Sequence, residues 1–209
     1  MCTKHRDNAL KIASSQKYDV AILDDGLQDK SLNYNVKIAC FNSSDEIGNG
    51  FLIPSGPLRE RVSEIKNYDA VFLNGEKRNI EFLKYLKKFN KNIKIFEANY
   101  IPLNLRSFNL KKNFLLFCGL GNPQEFQRTL KKYKFNIKER FLFPDHYNFL
   151  NSDIYEIKKI AKRKKLNIIT SEKDYLRLKT KSRKNIKFLK VKLKIKNMKS
   201  FSKFLKEKL

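Results

Sequence analysis

An apolar run that ends in two neighbouring carboxylates is the feature that most constrains this chain. The run reads Asp19-Val20-Ala21-Ile22-Leu23-Asp24-Asp25-Gly26. It predicts a buried strand over 19–24, after which Gly26 lets the backbone turn. In an open α/β sheet, ligands bind at the carboxyl ends of the strands, where Asp24 and Asp25 would repel each other unless a cation faced them. Mg²⁺ suits such a pair because it binds one or two carboxylates together with phosphate. The alternative is a polar turn, in which Asp and Gly are common.

Short apolar runs alternate with amphipathic helical patterns along the rest of the chain, which predicts an α/β fold with mostly parallel sheets. Further strands are predicted at 36–41, 68–74, 113–118, 137–143, 167–170 and 186–191. Helices are predicted at 4–17, 79–89, from Pro123, at 151–165, from Ser171 and at 199–208. Asn79 and Asn122 are predicted to cap two of them, and Ser171 with Asp174 fits a capping box for a third. The first helix has no strand before it, so we expect the chain to begin partway through an α/β unit. The predicted organisation is a truncated first α/β domain over 1–92, an extended linker or two-stranded ribbon over 93–110, and a second α/β domain over 111–209.

The composition excludes several classes of protein. Hydrophobic residues make up 41% of the chain and include 17 Phe, which argues against a disordered chain. No apolar run approaches the roughly 18–20 residues of a membrane span. Three cysteines without metal-ligand spacing, together with no signal peptide, predict a reducing, cytoplasmic compartment.

The net charge of +25 is concentrated late in the chain. Residues 1–60 contain 7 Lys and Arg against 8 Asp and Glu, whereas residues 151–209 contain 21 against 5. Such a surface attracts anionic lipid, polyphosphate or nucleic acid. The other interpretation is compositional drift, which fits lysines that are spread along helices and strands without interleaved aromatic residues. We therefore expect no nucleic-acid partner.

A rigid loop and two strand ends supply further candidate residues. Two prolines, a serine and a glycine at 54–57 predict a loop that delivers Arg59, a side chain suited to a bidentate grip on phosphate or carboxylate. Alternatively, Arg59 is simply solvated. Gly119 and Gly121 precede a capped helix and predict either an anion site or a tight turn. His146 follows Asp145 after a strand, where it could move a proton or stabilise charge, or only cap and pack.

Taken in order, these motifs resemble tetraacyldisaccharide 4'-kinase, the lipid A 4'-kinase of Gram-negative bacteria. The motifs are Leu23-Asp24-Asp25-Gly26-Leu27-Gln28, Gly48-Asn49-Gly50, Pro54-Ser55-Gly56-Pro57-Leu58-Arg59-Glu60, Asn74-Gly75, Gly119-Leu120-Gly121-Asn122-Pro123, Phe143-Pro144-Asp145-His146 and Thr170-Ser171-Glu172-Lys173-Asp174. Each motif is weak alone, but their common order over about 19–178 is specific.

The resemblance implies a P-loop-kinase-like fold and a reaction that transfers the γ-phosphate of ATP to the 4'-hydroxyl of a tetraacylated glucosamine disaccharide phosphate. It implies a peripheral enzyme at the cytoplasmic face of the anionic inner membrane. Asp24 and Asp25 would lie near Mg²⁺, and His146 would assist catalysis from the second domain. Four residues would line the substrate side, namely Gln28, Asn49, Arg59 and Glu60.

The chain departs from the family pattern at two points. Asp29 stands where many members have His, so the role of that position is open. No Gly-Lys-Ser or Gly-Lys-Thr occurs in the sequence, so the ATP-binding residues of a phosphate loop are not identified. We therefore expect the C-terminal two-thirds of a kinase that is inactive without the loop, which a separate N-terminal fragment could supply. The alternative is a non-catalytic basic α/β protein that binds anionic lipid or nucleic acid.

Overall fold

The computed structural model describes residues 6–75 and 78–209, in which strands are interspersed with helices. The helices are α1 (Arg6–Ser15), α2 (Ile80–Phe89), α3 (Pro123–Lys132), α4 (Asn151–Arg163), α5 (Glu172–Arg177) and α6 (Met198–Lys208). The strands are β1 (Ile38–Asn42), β2 (Ala70–Asn74), β3 (Lys94–Pro102), β4 (Asn113–Cys118), β5 (Asn136–Leu142), β6 (Asn167–Ser171), β7 (Ile186–Leu189) and β8 (Val191–Ile195). The mixed α/β fold class is confirmed.

The chain forms two compact units. The first comprises Met1–Asn99 together with Ile195–Leu209, and the second comprises Tyr100–Lys194. The chain leaves the first unit within β3 and returns to it within β8. The second unit is therefore inserted into the sequence of the first.

The strands β1, β2 and β3 are parallel and belong to a sheet with the strand order β1-β2-β3-β8, in which β8 contributes only Ile195 to the first unit. Successive side chains of β2 point to opposite faces, and both faces are buried. Val71 and Leu73 pack with the apolar side of α2, whereas Ala70 and Phe72 pack with Phe204 of α6. A strand covered on both faces explains the unbroken apolar run at this point of the sequence.

The second unit contains a four-stranded parallel sheet with the order β5-β4-β6-β7. Its central strand β4 is buried from Phe114 to Cys118. Leu115 and Phe117 pack with residues of α4, whereas Phe114 and Leu116 pack with Leu130 of α3. The carboxyl ends of β4, β5 and β6 therefore lie along one edge of this sheet, and the loops that follow them carry the candidate residues of this unit.

The prediction of a buried strand over 19–24 is wrong. No regular strand occurs between α1 and β1, and Val20 and Ile22 are 53% and 94% exposed. A strand forms when neighbouring strands satisfy its backbone groups, and within the described residues none pairs with 19–24. Apolar residues alone therefore do not produce a strand here.

Two expectations about the linker and the chain's last segment also differ from the structure. Residues 101–102 continue β3 and residues 103–108 form no strand, so no ribbon forms here. The strand β3 lies between β2 and β8, and β8 follows about a hundred residues later in the sequence. Residues 195–209 belong to the first unit rather than to the second domain predicted over 111–209. The physical reason is the aromatic face of α6, where Phe201 and Phe204 contact Phe96 with ring centroids 4.9 and 5.2 Å apart.

In the part of the chain that the structure describes, no helix combines the length and apolarity that crossing a bilayer requires. The longest helix, α4, has 13 residues, whereas a span needs about 20.

Candidate functional site

The two adjacent carboxylates occupy a turn in the first unit. Asp25 has a backbone φ of 56°, in the left-handed region that non-glycine residues seldom adopt. Gly26 is buried, and its carbonyl accepts a hydrogen bond from the Tyr34 hydroxyl at 2.7 Å. The backbone carbonyl of Asp25 accepts from the Arg6 guanidinium at 3.0 Å. These contacts hold the turn and leave both carboxylates exposed.

Five of the predicted site residues line one cleft of about 440 Å³ in the first unit. They are Asp24, Asp25, Gln28, Arg59 and Glu60. The carboxyl end of β1 forms the floor of the cleft through Cys40, Phe41 and Asn42. The predicted residues therefore lie near the carboxyl end of β1, although the strand over 19–24 that was expected to carry Asp24 and Asp25 does not form. Their role in ligand binding stays a prediction.

Arg59 and Asp25 form an ion pair across the cleft, through Nη1 and Oδ2. Both side chains are more than half exposed, so the pair contributes little to stability. An exposed pair of this kind can exchange partners, because an incoming phosphate competes for the guanidinium and an incoming cation competes for the carboxylate.

Glu60 is oriented by Tyr68, whose hydroxyl donates a hydrogen bond to Glu60 Oε2. Burial, followed by the hydrogen bond and the negative charge of Glu60, raises the pKa of Tyr68 above its usual range. The hydroxyl therefore stays protonated at neutral pH and remains a donor. Sequence reasoning did not identify Tyr68 as part of the site, because it lies near the start of the next strand rather than in a motif.

Asn49 shapes the loop instead of lining the cleft. Its amide Nδ2 donates to the Ser55 carbonyl at 2.8 Å, and its Oδ1 accepts from the Phe51 amide at 3.1 Å. A Cβ at Gly56 would overlap Asn49 Oδ1 and the Phe51 carbonyl, so only glycine allows the two ends of the loop to close. The structure thus gives Asn49 a role in holding the segment that leads to Arg59.

Asp29 faces its own turn. Its carboxylate accepts from the Ser31 hydroxyl at 2.5 Å and from the Ser31 amide at 3.1 Å, and it pairs with Arg6 at 3.5 Å. The two Ser31 hydrogen bonds, with a smaller effect of Arg6, keep the pKa of Asp29 below its usual value. Asp29 therefore acts as a charged hydrogen-bond acceptor that stabilises the acidic turn, the turn that contains Asp24 and Asp25.

Asp24 is the carboxylate best placed to take a metal. Within residues 6–75 and 78–209 it has no hydrogen-bond or salt-bridge partner, and it faces the cleft. The described residues contain no group of three or more His, Cys, Asp and Glu side chains that could hold a metal ion. This donor set fits Mg²⁺ in its usual form, bound by one or two carboxylates with water and phosphate, rather than a cage of protein ligands.

In the second unit, the Gly119-to-Pro123 segment forms a tight turn. Asn122 caps α3 by accepting from the Glu125 amide at 3.1 Å, and Pro123 is the first helical residue. A Cβ at Gly121 would lie 3.0 Å from the Asp145 carboxylate. A carboxylate this close disfavours a bound anion, so of the two interpretations the tight turn is the one the geometry supports.

His146 lies in the loop after β5 and is joined to a buried carboxylate through Arg177. Arg177 Nη2 is 2.9 Å from His146 Nδ1, and Arg177 Nη1 is 3.5 Å from Asp174 Oδ1. Asp174 is fully buried and accepts from the Gly119 amide and the Ser171 hydroxyl, at 3.1 and 2.7 Å. The sequence placed Ser171 and Asp174 at a helix cap, which is confirmed, but it gave no sign that Arg177 reaches His146, 31 residues away.

Comparison with known proteins identifies the family. The model of the tetraacyldisaccharide-1-P 4'-kinase family matches residues 1–209. A tetraacyldisaccharide 4'-kinase of Pelagibacter ubique is 42% identical over 198 residues, which cover 94% of this chain and 63% of the relative. The enzyme of the same name from Rickettsia typhi is 35% identical over 181 residues, which cover 85% of this chain and 54% of the relative.

A solved structure shares the fold. The crystal structure of LpxK from Aquifex aeolicus in complex with ATP matches 97% of this chain and 61% of its own chain, with a TM-score of 0.62 and 24% sequence identity. At that identity the likeness is one of fold. The present chain spans a little over half to nearly two-thirds of the length of these proteins. By the family match over its whole length and by its relatives, the chain belongs to the tetraacyldisaccharide-1-P 4'-kinase family.

Proposed function

We propose that this chain supplies the acidic pair and the substrate-side residues of a tetraacyldisaccharide 4'-kinase, which transfers the γ-phosphate of ATP to the 4'-hydroxyl of tetraacyldisaccharide 1-phosphate. The observation that carries the proposal is the single cleft in which Asp24, Asp25, Gln28, Arg59 and Glu60 meet. Phosphoryl transfer depends mainly on positioning and on neutralising charge, and these side chains offer both.

Asp24 and Asp25 would hold Mg²⁺ in this proposal, with Asp24 already lacking a protein partner among the described residues. When bound, the ion would supply neutralisation of phosphate charge. The protein's own contribution is a rigid turn. Arg6 and Tyr34 hold the backbone carbonyls of Asp25 and Gly26, so little reorganisation is needed when a ligand arrives.

Arg59 would bind an anionic oxygen of the disaccharide lipid or of the nucleotide. Its ion pair with Asp25 keeps the guanidinium directed into the cleft, and the Asn49 hydrogen bonds hold the loop from which it projects. Glu60 accepts a hydrogen bond from Tyr68 and keeps further acceptor capacity for a sugar hydroxyl. Gln28 is exposed beside them and offers an amide donor and acceptor.

The nucleotide side of the reaction needs groups that this sequence does not contain as a Gly-Lys-Ser or Gly-Lys-Thr motif. We propose that the phosphates of ATP are cradled by a further polypeptide segment, either joined to this chain or separate from it. We further propose peripheral contact with the cytoplasmic face of the inner membrane, which the lysine excess of residues 151–209 and the anionic lipid surface favour.

Lipid binding by the 209-residue chain tests the proposal. Tetraacyldisaccharide 1-phosphate in neutral mixed micelles should bind, and Arg59→Ala should weaken the affinity roughly 10- to 100-fold, because a charge-assisted hydrogen bond contributes about 1.5–3 kcal/mol. Lys88→Ala is the matched control, since it removes one positive charge from an exposed position of α2 outside the cleft.

Equal binding by Arg59→Ala and Lys88→Ala would contradict the proposed role of the cleft. Duplex DNA added as a competitor distinguishes the substrate site from the remaining alternative, a general basic surface. Displacement of the lipid by DNA, equally in both variants, would indicate a general basic surface instead of a substrate site.

A further inference from the structure

The second unit contains a chain of polar contacts that the proposed reaction does not by itself require. It starts at Asp174, passes through Arg177 and ends at the ring of His146. Each member lies within the second unit, Tyr100–Lys194. This series of contacts runs from a fully buried carboxylate to a side chain that is 72% exposed. It therefore joins the interior of the unit to its surface.

Asp174 is the buried, fixed end of this series of contacts. A buried carboxylate is costly unless hydrogen bonds and a positive charge compensate for its lost hydration. The Gly119 amide and the Ser171 hydroxyl satisfy Oδ2, while the Arg177 guanidinium faces Oδ1 at 3.5 Å. The two hydrogen bonds come from the end of β4 and the end of β6, so Asp174 is tied to two strands of the sheet.

Arg177 is held at three points and is 22% exposed. Its Nη1 is 3.5 Å from Asp174 Oδ1 and 3.4 Å from the Gly119 carbonyl, whereas Nη2 points to His146 Nδ1 at 2.9 Å. The planar guanidinium has several donors in a fixed geometry, so binding Asp174 and Gly119 determines where the remaining donors lie. The contact with His146 is the consequence of that geometry.

The contact determines which nitrogen of His146 carries the proton. The Arg177 guanidinium has only donors, so the facing Nδ1 must accept. The neutral imidazole then carries its proton on Nε2, which lies 3.7 Å from Asp145 Oδ2. Other charged groups here are Asp145, which accepts from the His146 amide at 2.9 Å, and Lys173, which is 3.7 Å from Asp145 Oδ1.

The backbone around His146 is also constrained. His146 has a φ of 58°, in the left-handed region, a conformation that a non-glycine residue keeps only where its surroundings hold it. The neighbouring Tyr147 is stacked on Phe143 with ring centroids 4.7 Å apart, and its hydroxyl donates to Asp153 at 3.1 Å. A Cβ at Gly119 would lie 3.0 Å from the Pro144 carbonyl, so the loop sits directly against the end of β4.

From these contacts we propose that Arg177 is a positioning residue for His146. It ties Nδ1 to the buried Asp174 and the Gly119 carbonyl, and so presents Nε2–H outward as a hydrogen-bond donor. The inference rests on the proposed function only in giving that donor a use, which is to donate a hydrogen bond to an oxygen acceptor. The tautomer itself is a property of the second unit.

Nitrogen-15 NMR of the imidazole rings in the full 209-residue chain tests the inference without any activity measurement. The chain has two histidines, and His146→Asn assigns the signals of this one. Wild type should show a single neutral tautomer with the proton on Nε2. Arg177→Met should lose that single pattern and give a mixture of both tautomers, because nothing then holds the lone pair of Nδ1.

Two further variants separate positioning from general stability. Arg183→Met removes an arginine of the same unit that donates to the Leu176 and Leu178 carbonyls, and it should leave the His146 pattern unchanged. Arg177→Lys keeps the positive charge without the planar set of donors, and it should lose the single pattern as Arg177→Met does. Arg177→Lys also serves if Arg177→Met fails to fold.

A proton on Nδ1 in wild type, or an unchanged single tautomer in folded Arg177→Met or Arg177→Lys, would overturn the inference. These outcomes are independent of the lipid-binding test at Arg59. The tautomer can be fixed as described while lipid binding fails, in which case only the proposed function is lost. Lipid binding can equally succeed while the tautomer is free, in which case only the role of Arg177 is lost.

Discussion

Asp25 and His146 share an uncommon backbone conformation, with φ of 56° and 58°. Seven non-glycine residues in the described part of the chain have positive φ, and several of them follow a helix, where such a residue commonly ends it. Asp25 and His146 instead lie in loops, beside Arg59 and Arg177. Strained residues persist when their surroundings hold them, and they are concentrated at functional sites. Of the three residues predicted to act in catalysis, Asp24, Asp25 and His146, two have this uncommon conformation, and their catalytic role stays a prediction.

Gly75 lies at a position where both the backbone angle and the surrounding space disfavour any other residue. Its φ is +133°, and a Cβ there would overlap the hydroxyl of the buried Ser43. Gly75→Ala should lower the free energy of unfolding by about 1–3 kcal/mol, because it adds both backbone strain and a steric conflict. Urea unfolding followed by circular dichroism measures the loss.

Gly50→Ala is the control for that prediction. Gly50 also has positive φ, +78°, but its added Cβ would meet only Ile47 Cδ1 at 3.8 Å. It should therefore show only the cost of the backbone conformation. A loss at Gly75 no larger than that at Gly50 would show that the space around Ser43 is not limiting.

At the scale of the elements, local signals were sufficient wherever the structure depends on neighbours in sequence. Asn79 caps α2 by accepting from two amides, Asn122 caps α3, and Ser171 caps α5, each as its sequence pattern predicts. The run 19–24 failed because a strand depends on a partner that the pattern does not reveal. The pairing of β3 with β8 was missed for the same reason, since β8 lies far along the chain.

The candidate site shows the same division. Asp24, Gln28 and Arg59 were predicted from motifs and meet in one cleft. Tyr68 and Arg177 were missed, because each acts through a single long-range contact, with Glu60 and His146 respectively. A motif contains residues that are close in sequence. Residues such as Tyr68 and Arg177, which orient a site residue, are close to it only in space.

The attachment of α6 to the first unit makes a pH-dependent prediction. Lys208 Nζ donates to Asp69 Oδ1 at 2.6 Å, and the Lys37 amide donates to Asp69 Oδ2 at 2.9 Å. Partial burial alone would raise the pKa of Asp69, but these two hydrogen bonds outweigh it and lower the pKa overall. Because the folded-state pKa is lowered, the stabilisation is present above the unfolded value near 4 and is lost as pH falls through the folded value.

Lys208→Ala should therefore reduce the free energy of unfolding at pH 7 by about 0.5–1 kcal/mol, since the pair is partly exposed. The difference from wild type should shrink as the pH falls below the unfolded-state value near 4 and through the lowered folded-state pKa of Asp69. Urea titrations across pH 3–7 measure it. Lys206→Ala, on the exposed side of the same helix, is the control, and an equal effect of both variants would contradict the role of Asp69.

At the scale of the whole molecule, the chain spans 63% of its Pelagibacter ubique relative. Ile22, which lies just before Asp24 and Asp25, is 94% exposed. We predict that the 209-residue chain with ATP and Mg²⁺ does not hydrolyse ATP measurably above the rate of an Asp24→Asn, Asp25→Asn double variant. The reason is that phosphoryl transfer needs the phosphates of ATP to be cradled, and no phosphate-loop motif occurs in this sequence.

A phosphate-release assay provides the measurement. Turnover at an ordinary kinase rate of about 1–100 per second, abolished in the double variant, would contradict the prediction. Such a result would also show that this sequence contains an ATP site of a kind that its motifs do not reveal.

The insertion of the second unit into the first has a consequence for how the polypeptide matures during synthesis. Tyr100–Lys194 is continuous, so it can acquire its structure as soon as it leaves the ribosome. The first unit must wait for Ile195–Leu209, because Phe204 covers the face of the sheet formed by Phe72 and Phe96. Translation that stopped before this helix would release a folded second unit attached to a first-unit sheet whose face at Phe72 and Phe96 is exposed. Quality-control proteases would then act on a polypeptide with that exposed aromatic face.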